Sequence, residues 1–252
     1  MSHFLKVVLA AALLCGTATP ATAQQAPTWE FSLVPMYFWA TSLDGTLAAG
    51  PVSVPIALDF SDAADHLGGA FSFHFEASRG RFGVMTDLNF IKLTSSAPFS
   101  VGSRQITGDF ELDNVMFEAA GLYELHHESR LSVIGGLRTY TLAPVITFRE
   151  TGPGVTPVDE SRTSADAFAG VVLRPRINDK WGVIARADIG AGNADLTWSV
   201  VGGLEYRFKP WGGLEFGYKA LGIDVEGGEN NLRSYDVTHS GPIVGLRLHW
   251  QR

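Results

Sequence analysis

The chain has 252 residues, a formal net charge of −7 and 46% apolar residues. This length fits one domain of ordinary size. The acidic balance excludes a general affinity for nucleic acid, because that binding needs clustered basic charge. No run of about 18 apolar residues follows the N-terminal segment, so the sequence offers no membrane-spanning helix.

Residues 1–23 are predicted to be a secretory signal peptide. Lys6 lies in a short basic start, residues 7–15 are apolar, and the small residues ending at Ala23 form a cleavage site. Cys15 is the only cysteine, and Leu14 before it does not suit lipoprotein cleavage. The mature chain therefore lacks disulfides and cysteine metal ligands.

Residues 24–252 are predicted to form a single all-β domain. Apolar and polar residues alternate in ten segments, as in strands that have one apolar face. The ten segments are 29–40, 69–78, 82–94, 106–125, 131–148, 164–177, 181–190, 196–208, 211–225 and 235–250. Short gaps alternate with longer gaps rich in Gly, Pro, Ser and Asn. This pattern predicts an antiparallel up-and-down transmembrane β-barrel of about ten strands, with eight or twelve also possible.

The stretch 41–68 is predicted to be a long first outer loop. If residues 52–60 formed one full strand, the short turns would lie on the wrong side of the membrane. The loop is therefore expected to hold a short hairpin and a helical turn at residues 61–67, although two further crossings would give twelve strands. Pro35 lies within the first segment, where its missing N–H predicts a bulge.

Alternation alone does not distinguish a membrane barrel from a soluble, lipocalin-like barrel with its apolar face inward. Only four lysines follow the signal peptide, and glycines occur on the polar face, which favours an apolar exterior and a crowded lumen. Aromatic residues occur at strand ends, as at membrane interfaces. The predicted interface aromatics are Trp29, Trp39, Tyr123, Trp181, Trp198, Phe208, Trp211 and Trp250.

The polar face carries charges of both signs. The predicted lumen-lining residues are Glu76, Asp87, Glu118, Arg138, Arg174, Arg186, Asp188, Glu205, Arg207, Glu215, Lys219 and Arg247, and Glu30 and Asp166 share this face. These charges form either an ion-pair network that fills the barrel or the lining of a narrow, porin-like passage for small solutes. A wide porin is not expected, because such pores use about 16 strands.

The tight turn at Lys209-Pro210 predicts one detail of the lumen. Antiparallel pairing across it places Glu205 opposite Glu215, and like charges that face each other need a bridge. Arg207 and Arg247 are expected to neutralise the pair and to close the periplasmic end of the lumen.

An enzyme acting on lipid or peptide is the alternative function. Ser72, His74 and Glu76 lie on one face of a strand, which is a geometry that acyl transfer could use. His74 is equally well read as a polar lumen residue, so no catalytic residue is assigned. His126-His127 have no spaced partner, and neither a metal nor another cofactor is predicted.

Several segments resemble small outer-membrane β-barrel proteins of proteobacteria, and more loosely OmpW- and OmpX-like proteins. These segments are WEFSLVPMYFWATSLDGTL, HFEASRGRFGVMTDLNFIKL, RPRINDKWGVIARADIG, GLEYRFKPWGGLEFGYKAL and the closing YDVTHSGPIVGLRLHW. The resemblance implies a location in the Gram-negative outer membrane, contact with its lipid, and recognition of the last strand by the barrel-assembly machinery. It brings no catalytic motif. A soluble periplasmic ligand-binding barrel remains a further alternative.

Overall fold

The computed structural model describes residues 28–49, 52–65, 67–101, 104–148, 158–159, 162–226 and 232–252. The predicted signal peptide and its cleavage site lie outside these residues. The strands are β1 (Trp29–Val34), β2 (Tyr37–Trp39), β3 (Ser42–Ala49), β4 (Val52–Leu58), β5 (Leu67–Arg79), β6 (Phe82–Val101), β7 (Arg104–His126), β8 (Leu131–Phe148), β9 (Val158–Asp159), β10 (Arg162–Leu173), β11 (Trp181–Gly192), β12 (Leu196–Lys209), β13 (Gly212–Glu226) and β14 (Leu232–Gln251). One short helix, α1 (Phe60–Asp65), lies between β4 and β5.

Ten of these strands close into an antiparallel barrel. The order is β1-β5-β6-β7-β8-β10-β11-β12-β13-β14, and β14 pairs with β1 to complete the circle. Trp250 is the register partner of Phe31, and their rings stack with centroids 5.2 Å apart. The predicted up-and-down barrel of about ten strands is therefore confirmed. Closure gives the first and last strands a hydrogen-bonded partner on both edges where they meet.

The first strand is interrupted at Pro35 and Met36. Leu33 pairs with Leu248 and Tyr37 pairs with Gly245, so three residues on the first strand face two on β14. This one-residue excess is a β-bulge, and it turns every later side chain of the strand to the opposite face. Trp39 consequently lies inside the barrel and is only 6% exposed. The prediction of Trp39 as a membrane-interface aromatic is wrong for this reason.

The region 41–68 extends the barrel sheet on the loop side. β3 continues the pairing along β14, from Ser42 opposite Ser240 onwards, and β4 pairs with β3 as a hairpin. Phe60 at the start of α1 contacts Phe38 edge to face, with centroids 5.6 Å apart. Residues 42–49, predicted as loop, thus belong to the sheet, while the hairpin and the helical turn both occur.

Two other boundaries differ from the sequence pattern. β10 ends at Leu173 rather than at residue 177, and Pro175, which has no N–H to donate, follows it. β6 and β7 stay paired up to Val101 opposite Arg104, so the predicted gap 95–105 is largely strand.

The two faces of the barrel differ sharply in polarity. The outer face exposes large apolar side chains, among them Val84, Leu137, Ile189, Val200, Leu214, Phe216, Val244 and Leu246. The inner face buries charged side chains, among them Asp87, Glu118, Arg138, Asp188, Lys219 and Arg247. An apolar exterior around a charged interior is the arrangement of a transmembrane barrel and the reverse of a soluble one. Among the described residues, no helix is long and apolar enough to cross a membrane.

The interior is divided along the barrel axis. Towards the long loops, an apolar cluster lies inside the barrel and includes Trp39, Met116, Leu221, Ile223 and Val237. Towards the short turns, the barrel buries many charged side chains beside a smaller apolar cluster that includes Met85, Ile134 and Val172. This charged half contains the candidate site.

Candidate functional site

Four buried charges form a closed ring near the middle of the barrel. The Arg138 guanidinium donates to Glu118 and to Asp188, each at 2.7 Å. The Arg186 guanidinium donates to the same two carboxylates, again at 2.7 Å each. The ring is electrically neutral, and its side chains are between 0% and 9% exposed. Such pairing is what buried charges require.

The barrel wall is shaped to hold this ring. Both guanidiniums lie over the ring of Phe168, with their carbons 4.9 Å (Arg138) and 5.1 Å (Arg186) from its centroid. Gly170 pairs with Asp188 and leaves space there, because a Cβ on Gly170 would lie 2.2 Å from the Ala187 carbonyl oxygen. Packing and hydrogen bonding therefore fix the ring across non-adjacent strands.

A second cluster surrounds Asp87, which is next to Glu118 across the β6–β7 pair. Asp87 accepts hydrogen bonds from Tyr37 at 2.9 Å, Asn89 at 2.6 Å and Lys219 at 3.2 Å. Both ring nitrogens of His74 contact carboxylates: Nδ1 lies 2.9 Å from Asp87 and Nε2 lies 2.6 Å from Glu76.

The Lys219 ammonium of this cluster also lies 4.8 Å from the centroid of the Trp39 ring. Trp39 belongs to the apolar cluster on the loop side. The contact between a cation and an aromatic face therefore joins the charged half of the interior to the apolar half.

Closer to the short turns, arginines neutralise three glutamates. Glu205 is the register partner of Glu215, and Arg207 donates to Glu205 at 2.7 Å. Arg247 donates to Glu215 at 2.7 Å and to Ser32 at 2.7 Å. Arg174 reaches across the barrel from the end of β10 to Glu76 on β5.

The turn end of the barrel remains open despite these pairs. A cavity of about 750 Å³ lies there, and Glu76, Arg174 and Arg247 are part of its lining. The expectation that Arg207 and Arg247 close this end is therefore wrong. Deeper in the barrel, between the Asp87 cluster and Arg186, the remaining cavity is only about 60 Å³.

The structure places all twelve predicted lumen-lining residues on the inner face. Asp87, Glu118, Arg138, Asp188, Glu205, Lys219 and Arg247 are buried; Glu76, Arg174, Arg207 and Glu215 are half-buried, and the Arg186 side chain is 9% exposed. Of the predicted interface aromatics, those on the outer face are Trp29, Tyr123, Trp181, Trp198, Phe208 and Trp250. Trp211 is exposed in the turn between β12 and β13.

Sequence reasoning missed several residues that hold the charged groups. Tyr37 lies after the bulge, so counting from Trp29 would place it on the outer face, and the only sequence signal to the contrary is Pro35. Asn89 and Phe168 alternate correctly into the lumen, but neither is charged, so nothing marked them as partners of Asp87 and Arg138. Among the described residues, no group of His, Asp or Glu is arranged to hold a metal ion.

Comparison with known proteins gives distant structural similarities. No family model matches the chain, and no curated protein matches it. The translocator domain of the autotransporter NalP from Neisseria meningitidis matches with a TM-score of 0.48 and 14% identity, covering 96% of this chain and 95% of that chain. The outer membrane protease OmpT from Escherichia coli matches with a TM-score of 0.46 and 8% identity, covering 93% and 100%. Ail of Yersinia pestis matches with a TM-score of 0.35 and 12% identity, covering 90% and 100%.

At these identities and TM-scores, the similarities assign neither an activity nor a substrate. The class of protein follows from the sheet itself, which is a closed antiparallel barrel with an apolar exterior and a charged interior. The chain is a transmembrane β-barrel of ten strands.

Proposed function

We propose that the protein is an integral outer-membrane barrel with a sealed lumen, which serves as a structural component of the envelope rather than as an open passage for solutes. The supporting observation is the burial of the neutral ring: the side chains of Arg138 and Asp188 are 0% exposed. In a water-filled pore of the kind that conducts small solutes, the lining charges are hydrated. The apolar cluster on the loop side adds a second barrier.

The location rests on the exterior of the barrel. Large apolar side chains cover the outer face, and Trp29, Trp211 and Trp250 are exposed near the short turns. Barrels with aromatic girdles of this kind lie in outer membranes, with short turns towards the periplasm. We further propose that outer-membrane lipid contacts this face and that the assembly machinery recognises β14.

The alternative enzyme proposal has weaker support. His74 would need one ring nitrogen facing a nucleophile, yet both of its nitrogens contact carboxylates, at 2.6 and 2.9 Å. This geometry favours a structural role for His74. Sustained hydrolysis of an acyl ester or peptide by the purified protein, lost on His74→Gln, would reverse that preference.

Solute release from liposomes tests the sealed lumen. Vesicles containing the refolded protein should retain arabinose as long as protein-free vesicles do. Vesicles containing Arg138→Ala/Arg186→Ala, which removes both guanidiniums of the ring, should release it faster if the variant folds. Rapid release by the wild-type protein would contradict the proposal.

A further inference from the structure

The cavity at the turn end is a cup rather than a channel. It has a volume of about 750 Å³, within the range of roughly 300–1,000 Å³ typical of small-molecule sites. Its inner end is bounded by Glu76, Arg174 and Arg247, beyond which lie the Asp87 cluster, the neutral ring and a smaller cavity of about 60 Å³. A solute entering from the turn side would therefore stop inside it.

The lining of the cup is basic, although the whole chain is acidic. The charged side chains around it are six arginines, four glutamates and no lysine or aspartate, whereas the chain has a net charge of −7. Each glutamate already contacts a base: Glu30 contacts Arg130, Glu76 contacts Arg174, Glu124 contacts His127 and Glu205 contacts Arg207. The four glutamates of the cup are thus already paired with basic side chains.

Two of the six arginines lack an ion-pair partner among the described residues. Within the described part of the chain, Arg81 and Arg176 have neither an ion-pair nor a side-chain hydrogen-bond partner, and both are exposed at the mouth of the cup. Arg81 lies in the turn between β5 and β6, whereas Arg176 lies in the turn between β10 and β11. They therefore approach the cup from two separate turns, and a guanidinium binds carboxylate and phosphate groups through paired N–H donors.

We propose that this cup binds a small soluble polyanion bearing at least two carboxylate or phosphate groups. Arg81 and Arg176 supply the two guanidiniums without an ion-pair partner. The deeper arginines are already neutralised by glutamates, as Arg174 is by Glu76, Arg207 by Glu205 and Arg247 by Glu215. A single exposed ion pair contributes little, so a ligand with several anionic groups is needed to engage both arginines. The inference rests on the sealed lumen, because that seal makes the cavity a dead end.

Calorimetric titration of the refolded full-length mature barrel in neutral detergent tests this site. The probes are pyrophosphate and citrate, with sodium chloride at equal ionic strength and the dication putrescine as controls. We expect saturable binding of at least one polyanion and none of putrescine. Arg81→Gln/Arg176→Gln should weaken that binding about tenfold or more, which is the loss of two charge-assisted contacts.

Arg79→Gln is the matched control. Arg79 flanks the same turn as Arg81, but it lies over Trp29 on the outer face, with its guanidinium carbon 6.0 Å from the ring centroid. This variant should bind as the wild type does. Equal weakening by Arg79→Gln and the double variant would show a general charge effect and overturn the site, as would the absence of saturable binding.

Two further measurements distinguish a failure of this binding site from occupation of the cup by lipid and from an open lumen. Binding should persist in phosphatidylglycerol nanodiscs; its loss there would mean that lipid headgroups take the cup, which overturns a soluble ligand. Conductance is measured independently of binding. An open lumen with intact binding would contradict the sealed barrel alone, and a closed lumen without binding would contradict this site alone.

Discussion

Replacement of Arg138 by methionine should lower the stability of the barrel strongly, because it leaves two buried carboxylates to share one guanidinium. The Arg138 side chain is 0% exposed and donates to Glu118, Asp188 and Thr197. Methionine preserves much of the volume but removes the charge, so the ring would hold two carboxylates and only Arg186. Removal of one partner from a buried ion pair typically costs about 3–5 kcal/mol. We therefore expect the free energy of unfolding to fall by about that amount.

Urea unfolding of the barrel refolded in lipid vesicles, followed by tryptophan fluorescence, measures this loss. Arg207→Met is the matched control, because Arg207 pairs with Glu205 at 2.7 Å but its side chain is 20% exposed beside the open cup. Pairs that water reaches contribute about 1 kcal/mol or less. Adding Glu118→Gln to Arg138→Met should recover part of the loss, since it restores neutrality. Equal effects of Arg138→Met and Arg207→Met would refute the argument that burial makes the ring important.

Three further predictions concern the faces and the seam of the barrel. Leu246→Arg should destabilise the barrel by about 2–4 kcal/mol in urea unfolding, whereas Leu125→Arg, near the rim, should cost about 1 kcal/mol or less. Gly170→Val should prevent folding, because its side chain would overlap the strand beside Asp188, whereas Gly121→Val, which meets open space on the outer face, should fold. Trp250→Ala should slow assembly, measured by the heat-dependent gel shift, because it removes the aromatic contact across the closing strands.

Each of these predictions has a contradicting outcome. Equal tolerance of arginine at Leu246 and Leu125 would place Leu246 away from the membrane core. Normal folding of Gly170→Val would mean that the interior is looser than the packing around Asp188 indicates. Arg252→Ala is the control for Trp250→Ala, and equal slowing by both would remove any special role for the aromatic ring.

The strands were predictable because alternation and turn residues are local properties of the sequence. The closing strand shows this well: Val244, Leu246 and Trp250 are exposed outside, and Arg247 is buried inside, as the alternation indicates. Local counting gave the wrong face for Trp39, because the first strand contains an extra residue before it. Pro35 signalled a bulge, but the sequence did not reveal which residue was extra, so Trp39 was assigned to the wrong face.

The arrangement of the charges was less predictable than their direction. Glu205 and Glu215 are linked by a tight turn, so their pairing follows from a short stretch of sequence. The contact between Arg138 on β8 and Asp188 on β11 depends instead on how far the barrel wall brings non-adjacent strands together. For the same reason the position of the neutral ring, in the middle of the barrel rather than at the turn end, required the three-dimensional structure.

Single-channel recording in planar lipid bilayers tests the sealed lumen most directly. The wild-type barrel, inserted and shown to be folded by its gel shift, should give no stable conductance steps in concentrated potassium chloride. The variant Arg138→Ala/Arg186→Ala should give small steps if it folds, because it removes the two guanidiniums that bridge Glu118 and Asp188. Uniform, long-lived conductance steps from the wild-type protein would contradict the account.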